Sequence, residues 1–262
     1  MENGLSRRDF VAQTVKSVAA FSLIQGAFRT GAFAAEIEPV MKRWLLQLHE
    51  LCGDVKANRI QPLVWQAHME SLYNRISLEE LLHFIDFQRL SADLHLPPDR
   101  AAIRQVRFPR MAGISERAPF GRKIFALRKG AAVVPHAHNN MVSAHLVLEG
   151  SFRVRTFQRR WDLETEPGFL MLEPAKDEIY GPGRLLTMSD EMDNIHWLVA
   201  VSSRAYTLDI PVVDLITSRE YLNPANRYSM IFVDPTIGVG GQSPITAPII
   251  GFEQAIAKFG RG

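Results

Sequence analysis

Two histidines one residue apart, His136 and His138, stand in the segment Pro135-His136-Ala137-His138-Asn139-Asn140. In an extended strand, residues two apart share a face, so this pair can aim two imidazoles at one point. Neutral imidazole suits iron, zinc, copper and nickel. A third ligand must come from elsewhere, and His196, in Asp193-Asn194-Ile195-His196-Trp197, is the natural candidate because it opens a later strand-like run. A His-x-His pair also arises without a metal, from core or surface histidines on one strand. His145 shares strand parity with Ser143, which makes it an inward fourth ligand or proton shuttle, or else a structural histidine. Arg153 and Arg155 share a face of the next strand. Facing inward they would bind a carboxylate bidentately; facing outward they would be a solvated pair. Tyr206 can donate a hydrogen bond to bound oxygen or serve as a core aromatic of its strand. His49, His68, His83 and His95 are scattered and show no ligand spacing.

Those residues need elements to position them. From about Arg104 onward, short strand-like runs alternate with turn residues: Lys123–Leu127, Val142–Leu148, Phe152–Phe157, Gly168–Leu172, Trp197–Val201 and Ala205–Ile210. Gly130, Gly150, Pro167-Gly168 and Gly181-Pro182-Gly183 punctuate them. Many short strands at this spacing predict an antiparallel barrel or sandwich. Before them, Ile37 to about Leu96 reads as helical. Met41, Trp44, Leu45, Leu48 and Leu51 repeat at helical spacing, a second helix is predicted over about Gln61–Tyr73, and Ser77 with Glu80 forms a capping box for a third. Pro97-Pro98 ends the helical stretch. The tail from Asn223 is rich in Pro and Gly and closes on a short amphipathic helix, Phe252–Phe259.

The composition agrees with a folded chain. The 262 residues are 47% hydrophobic and 22% charged, enough for a substantial core and against wholesale disorder. A net charge of +2, with no basic tract interleaved with aromatics, argues against a nucleic-acid partner. The single cysteine, Cys52, excludes an internal disulfide framework and a thiolate zinc cluster. No segment reaches about 18 uninterrupted apolar residues, which excludes a multi-span membrane protein. At the front, Ser6-Arg7-Arg8-Asp9-Phe10 precedes an apolar stretch and then Ala32-Phe33-Ala34. This order resembles a twin-arginine export signal cleaved after Ala34 or Ala35, which implies the twin-arginine machinery as partner and a periplasmic or other extracytoplasmic destination. The expected organisation is then a signal over 1–34, a helical region over 35–103, a barrel over 104–222 and an extension packing on it over 223–262.

The stretch from Gly130 to Gly150 resembles the first cupin motif: a glycine, five residues, His-x-His, an acidic position, six residues and a glycine. Gly130, His136, His138 and Gly150 fall in register, and Ser143 stands where the glutamate ligand is usual. In the second motif Gly168 and Pro174 fit, but Lys176 replaces its glycine and Ile179 its histidine, which leaves His196 as the last ligand. Three histidines without the glutamate is the pattern of the thiol dioxygenases. The segments Val134–Val142, Leu148–Val154, Asn194–His196 and Ala205–Ile210 are similar to the cysteamine dioxygenase and plant cysteine oxidase branch, over about residues 120–215. That branch usually works inside cells, so an export signal is a departure. The resemblance implies a mainly β cupin (jelly-roll) barrel behind a small helical region, and a mononuclear non-haem Fe(II) site on His136, His138 and His196. A thiolate substrate would supply the negative charge that the missing carboxylate does not. Asp209 would orient an imidazole or bind a substrate amine, His145 and Tyr206 would be its catalytic companions, and Ser143, Arg153 and Arg155 would contact the small-molecule substrate. The alternatives are a zinc, manganese or nickel cupin isomerase or lyase, and a non-catalytic small-ligand-binding cupin. Cupins often form homodimers, and the same is allowed here.

Overall fold

The structure, a computed structural model, describes residues 31–216, 229–237 and 243–261. The Arg7-Arg8 pair of the expected export signal lies outside the described residues. From Trp44 onward the described residues form one compact unit, which holds the barrel and the histidine site.

The helical region comprises α1 (Gly31–Lys56), α2 (Pro62–Tyr73), α3 (Leu78–Phe84) and α4 (Phe87–Ala92). Ala32–Ala35, the expected cleavage region, is helical within α1. Helix α2 starts on Pro62, where the missing N–H costs nothing because the first turn has no internal acceptor. The capping box forms as predicted: Ser77 Oγ accepts from the Glu80 amide (3.1 Å) and Glu80 Oε2 accepts from the Ser77 amide (2.7 Å). One stripe of α1 (Trp44, Leu48, Cys52) and one of α2 (Trp65, Met69, Leu72) are buried, and Trp44 meets Tyr73 edge-on with ring centres 5.6 Å apart.

Twelve strands follow among the described residues: β1 (Ala102–Gln105), β2 (Lys123–Arg128), β3 (Ala132–Asn139), β4 (Met141–Glu149), β5 (Phe152–Arg159), β6 (Phe169–Tyr180), β7 (Leu185–Met188), β8 (Ile195–Ala200), β9 (Arg204–Asp209), β10 (Val212–Val213), β11 (Ser229–Phe232) and β12 (Ile245–Pro248). They form two antiparallel sheets. The first has β2, β9, β4 and β7 side by side, with β1 on its edge and β10 running along β4 beyond the end of β9. The second runs β11-β3-β8-β5-β6-β12. The eight strands β2–β9, divided as 2-9-4-7 facing 3-8-5-6, are a double-sheet jelly roll. This is the mainly β jelly-roll barrel behind a small helical region that the sequence predicts.

The inter-sheet core fills one end of the barrel. Leu127, Val147, Leu186, Met188 and Ala205 of the first sheet pack on Phe152, Val154, Leu198 and Ala200 of the second. Both outer faces are covered as well. Helix α2 lies over β4 and β7, where Gln66 Nε2 donates to Thr187 Oγ1 (3.3 Å). Helix α5 (Phe252–Phe259), formed over the predicted residues, seats Ala255, Ile256 and Phe259 on Ala132, Val134, Trp197 and Val199. The tail contributes more than packing: β11 pairs with β3 opposite His136 and His138, and β12 pairs with β6. Between β4 and β5 the chain turns at Gly150 with φ +72, and a Cβ there would meet the Arg204 carbonyl at 2.2 Å, so only glycine fits.

Candidate metal centre

Strict two-residue alternation would put His136 on the same face as Ala132 and Val134, which pack outward on α5. The β3–β8 register prevents this. Val133 pairs with Leu198, but His136 pairs with His196, so one extra residue is inserted at Val134–Pro135. Proline has no amide for the ladder and is tolerated in a central strand at such a bulge. The bulge turns His136 and His138 inward, to the face on which His196 already lies beside Leu198 and Ala200.

One potential ligand atom from each of His136, His138 and His196 lies within 4.8 Å of the other two, and all three residues are buried. Ring centres are 4.5 Å apart for His136–His138 and 4.2 Å for His136–His196. His136 Nδ1 lies 2.8 Å from the Val134 carbonyl, and a carbonyl only accepts, so Nδ1 carries the proton and Nε2 presents its lone pair. His196 Nδ1 faces the Asn194 carbonyl in the same sense at 3.4 Å. Burial pushes His136 down to about 4. Burial, then repulsion from the neighbouring histidines, holds His138 and His196 well below their ordinary value. At neutral pH the trio is therefore three uncharged donors, the protonation state that metal ligation requires. A buried cluster of neutral imidazoles, two of which face backbone carbonyls through Nδ1, fits a divalent ion of the iron or zinc type.

The wall across the barrel carries different chemistry. Lys123 on β2, Asp209 on β9 and His145 on β4 are direct cross-strand neighbours in one row. His145 Nε2 is 3.4 Å and Lys123 Nζ 3.4 Å from the Asp209 carboxylate. Ser143 Oγ donates to Asp209 Oδ1, and Thr207 Oγ1 is 3.2 Å from His145 Nδ1. The His145 ring centre is 5.9 Å from that of His196. Burial lowers His145, while Asp209 opposes that shift. His145 faces the chamber but stands outside the group of mutually close ligand atoms, which corrects the option of a fourth ligand and leaves that of a proton carrier. Ser143, where cupins carry glutamate, turns its hydroxyl to Asp209.

Three further expectations do not meet the site. On β5, Arg153 and Arg155 alternate with the inward Phe152, Val154 and Thr156, so they point out of the barrel. Arg153 holds Asp177 through two 2.6 Å hydrogen bonds, and the Arg155 guanidinium lies 4.2 Å over the Trp197 ring. Neither can hold a substrate against the histidines. Tyr206 shares parity with Leu208, opposite Thr207 and Asp209. Its ring packs edge-on against Phe87 of α4 (5.3 Å), on the outer side of the first sheet, so it is a core aromatic. Sequence reasoning missed Lys123 and Thr207, whose only signal is pairing between strands far apart in sequence, and the role of Asn194. Cys52 is buried among the helices with its thiol pushed up to about 12, which leaves it inert.

No protein-family model and no curated protein sequence matches the chain. Solved structures align over about half of it or less, from 43% to 52%. A cupin superfamily protein from Desulfitobacterium hafniense is 15% identical over 48% of this chain and 88% of its own, with a TM-score of 0.32. KdgF from Halomonas sp. is 15% identical over 45% and 82%, with a TM-score of 0.31. The 11S globulin procruciferin from Brassica napus is 12% identical over 44% of this chain but only 22% of its own, with a TM-score of 0.31. The strand order described above, rather than these likenesses, defines the fold. No helix among the described residues is long and apolar enough to cross a membrane.

Proposed function

We propose that this chain is a metal-dependent cupin that binds iron(II) on His136, His138 and His196 and oxidises a small thiol with dioxygen. The observation that carries this reading is a buried, neutral three-histidine group with no carboxylate among its close ligand atoms. Such a group leaves the full charge of a divalent ion uncompensated, so an anionic ligand such as a thiolate is favoured. When bound, iron(II) supplies redox chemistry toward dioxygen and Lewis acidity toward the thiol. The remaining steps belong to the opposite wall. Neutral His145 accepts the proton a thiol releases, and Asp209, beside its Nε2, stabilises the resulting imidazolium. Ser143 and Lys123 hold the Asp209 carboxylate in place. The overall conversion of thiol and dioxygen to sulfinic acid balances without a further reductant.

The test is oxygen consumption by iron-loaded protein over a panel of small thiols, with sulfinate followed by mass spectrometry. Stoichiometric oxygen uptake and sulfinate formation support the reading. Retention of zinc or manganese, with no uptake, moves the site to a non-oxidative cupin. We also propose export by the twin-arginine route. An Arg7→Lys, Arg8→Lys double variant should remain in the cytoplasm, and unchanged localisation would overturn it.

A further inference from the structure

We propose that Asn194 is the positioning residue that locks two of the three metal ligands, on different strands, into one geometry; this rests on the metal reading above. Asn194 is 1% exposed and precedes β8. Its side-chain amide donates to the His138 backbone carbonyl (2.8 Å) and to the Ser189 carbonyl (3.2 Å), and it lies 3.4 Å from Asp190 Oδ1. The other oxygen of that aspartate, Oδ2, accepts the Asn140 amide (3.0 Å) at the β3–β4 turn, where Asn140 has φ +57. The backbone carbonyl of Asn194 faces His196 Nδ1. One residue thus clamps the strand of His138 through its side chain and sets the tautomer and tilt of His196 through its main chain.

The amide is required for this task. Two or more carbonyl acceptors converge on one nitrogen, which a hydroxyl with a single proton cannot serve and a carboxylate, an acceptor only, would repel. Asn194 Oδ1, by contrast, is buried with no hydrogen-bond partner among the described residues. Among the described residues, every hydrogen bond of this side chain is made by its amide nitrogen. The donor half of the side chain is therefore the half that matters. Partners of this kind, one step removed from a metal, typically change affinity by about 10–100-fold.

The test is cobalt(II) titration of the metal-free full-length chain, comparing parent, Asn194→Asp and Asn194→Ser. Thr187→Val is the control, because it removes a buried hydrogen bond on the far side of the first sheet. The expected result is cobalt(II) binding about 10–100-fold weaker in Asn194→Asp, with an altered d–d absorption band. Asn194→Ser should fall between it and parent, and gives the answer should the aspartate variant not fold. Thr187→Val should lower the melting temperature yet bind cobalt(II) like parent. Parental affinity and an unchanged band in both Asn194 variants would overturn the inference and leave the metal reading intact. A parent protein that takes up no cobalt(II) would overturn both.

Discussion

The two walls of the barrel mouth face each other but are built on opposite principles. The β3–β8 wall carries His136, His138 and His196, buried, uncharged, and tied at His136 and His196 to backbone carbonyls. The β2–β9–β4 wall carries a charged row, Lys123, Asp209 and His145, with Ser143 joining in. One wall has lone pairs and no charge, so it can receive a cation without repelling it. The other has a buried carboxylate already saturated by a cation, a hydroxyl and an imidazole, so it is placed to hold or pass a proton rather than to ligate. Ligation and proton handling thus belong to opposite walls, which approach to 5.9 Å between the His145 and His196 ring centres. Substitutions on the two walls should fail differently.

The largest effect belongs to the histidine wall. His136→Ala should weaken metal binding by more than about a hundredfold, beyond the range for losing an outer hydrogen-bond partner, as read by competition titration with a chromophoric chelator. On the opposite wall, Asp209→Asn should keep its metal and lose about 10²–10⁴-fold in kcat, the range of one acid–base group; metal loss there would erase the distinction between the walls. Ser143→Ala removes one hydrogen bond to Asp209 and should cost about tenfold in kcat, again with metal retained.

The pH dependence sharpens the same contrast in the metal-free chain. The buried histidines have folded values below the ordinary 6.5, with His136 at about 4, so between those values the unfolded chain binds more protons than the folded one. Stability should therefore be full above about pH 6.5 and fall as pH drops toward 4, and His136→Gln should flatten that fall. Thermal melts from pH 7.5 to 4.5 measure this; a stability that rises on acidification would contradict it. The smallest effect is outside both walls: Arg153→Ala, which breaks an exposed ion pair, should leave melting temperature and metal affinity unchanged.

The residues of the site were legible in the sequence, but the faces were not. His136, His138 and His196 come together, and Ser143, His145 and Asp209 meet on the wall opposite. Arg153, Arg155 and Tyr206 share the same strand logic and point away. For Tyr206 the reason is that the first sheet is covered on both sides, so β9 is buried at all positions but its first and its alternation carries no inside–outside signal, whereas on β5 the alternation of Arg153 and Arg155 with Phe152 and Val154 does carry it. The bulge at Val134–Pro135 compounds this, because it reverses parity within the very strand that carries the His-x-His pair. Local signals were read well: the Ser77–Glu80 capping box and helix Phe252–Phe259 form as predicted. Strand β6 was foreseen only to Leu172, yet it runs to Tyr180 through Pro174, accommodated where the β5–β6 register shifts. Strands β11 and β12 lie in a Pro- and Gly-rich tail and are held by partners far away in sequence, which no local pattern reveals.

The central claim is that three histidines hold one iron. Its most direct test is elemental analysis of the full-length protein purified anaerobically from iron-sufficient cells, beside His196→Ala. The account predicts close to one iron per chain in the parent and a loss of iron from the variant, with both proteins folded. An iron-free parent, or a variant that keeps its iron, would contradict it.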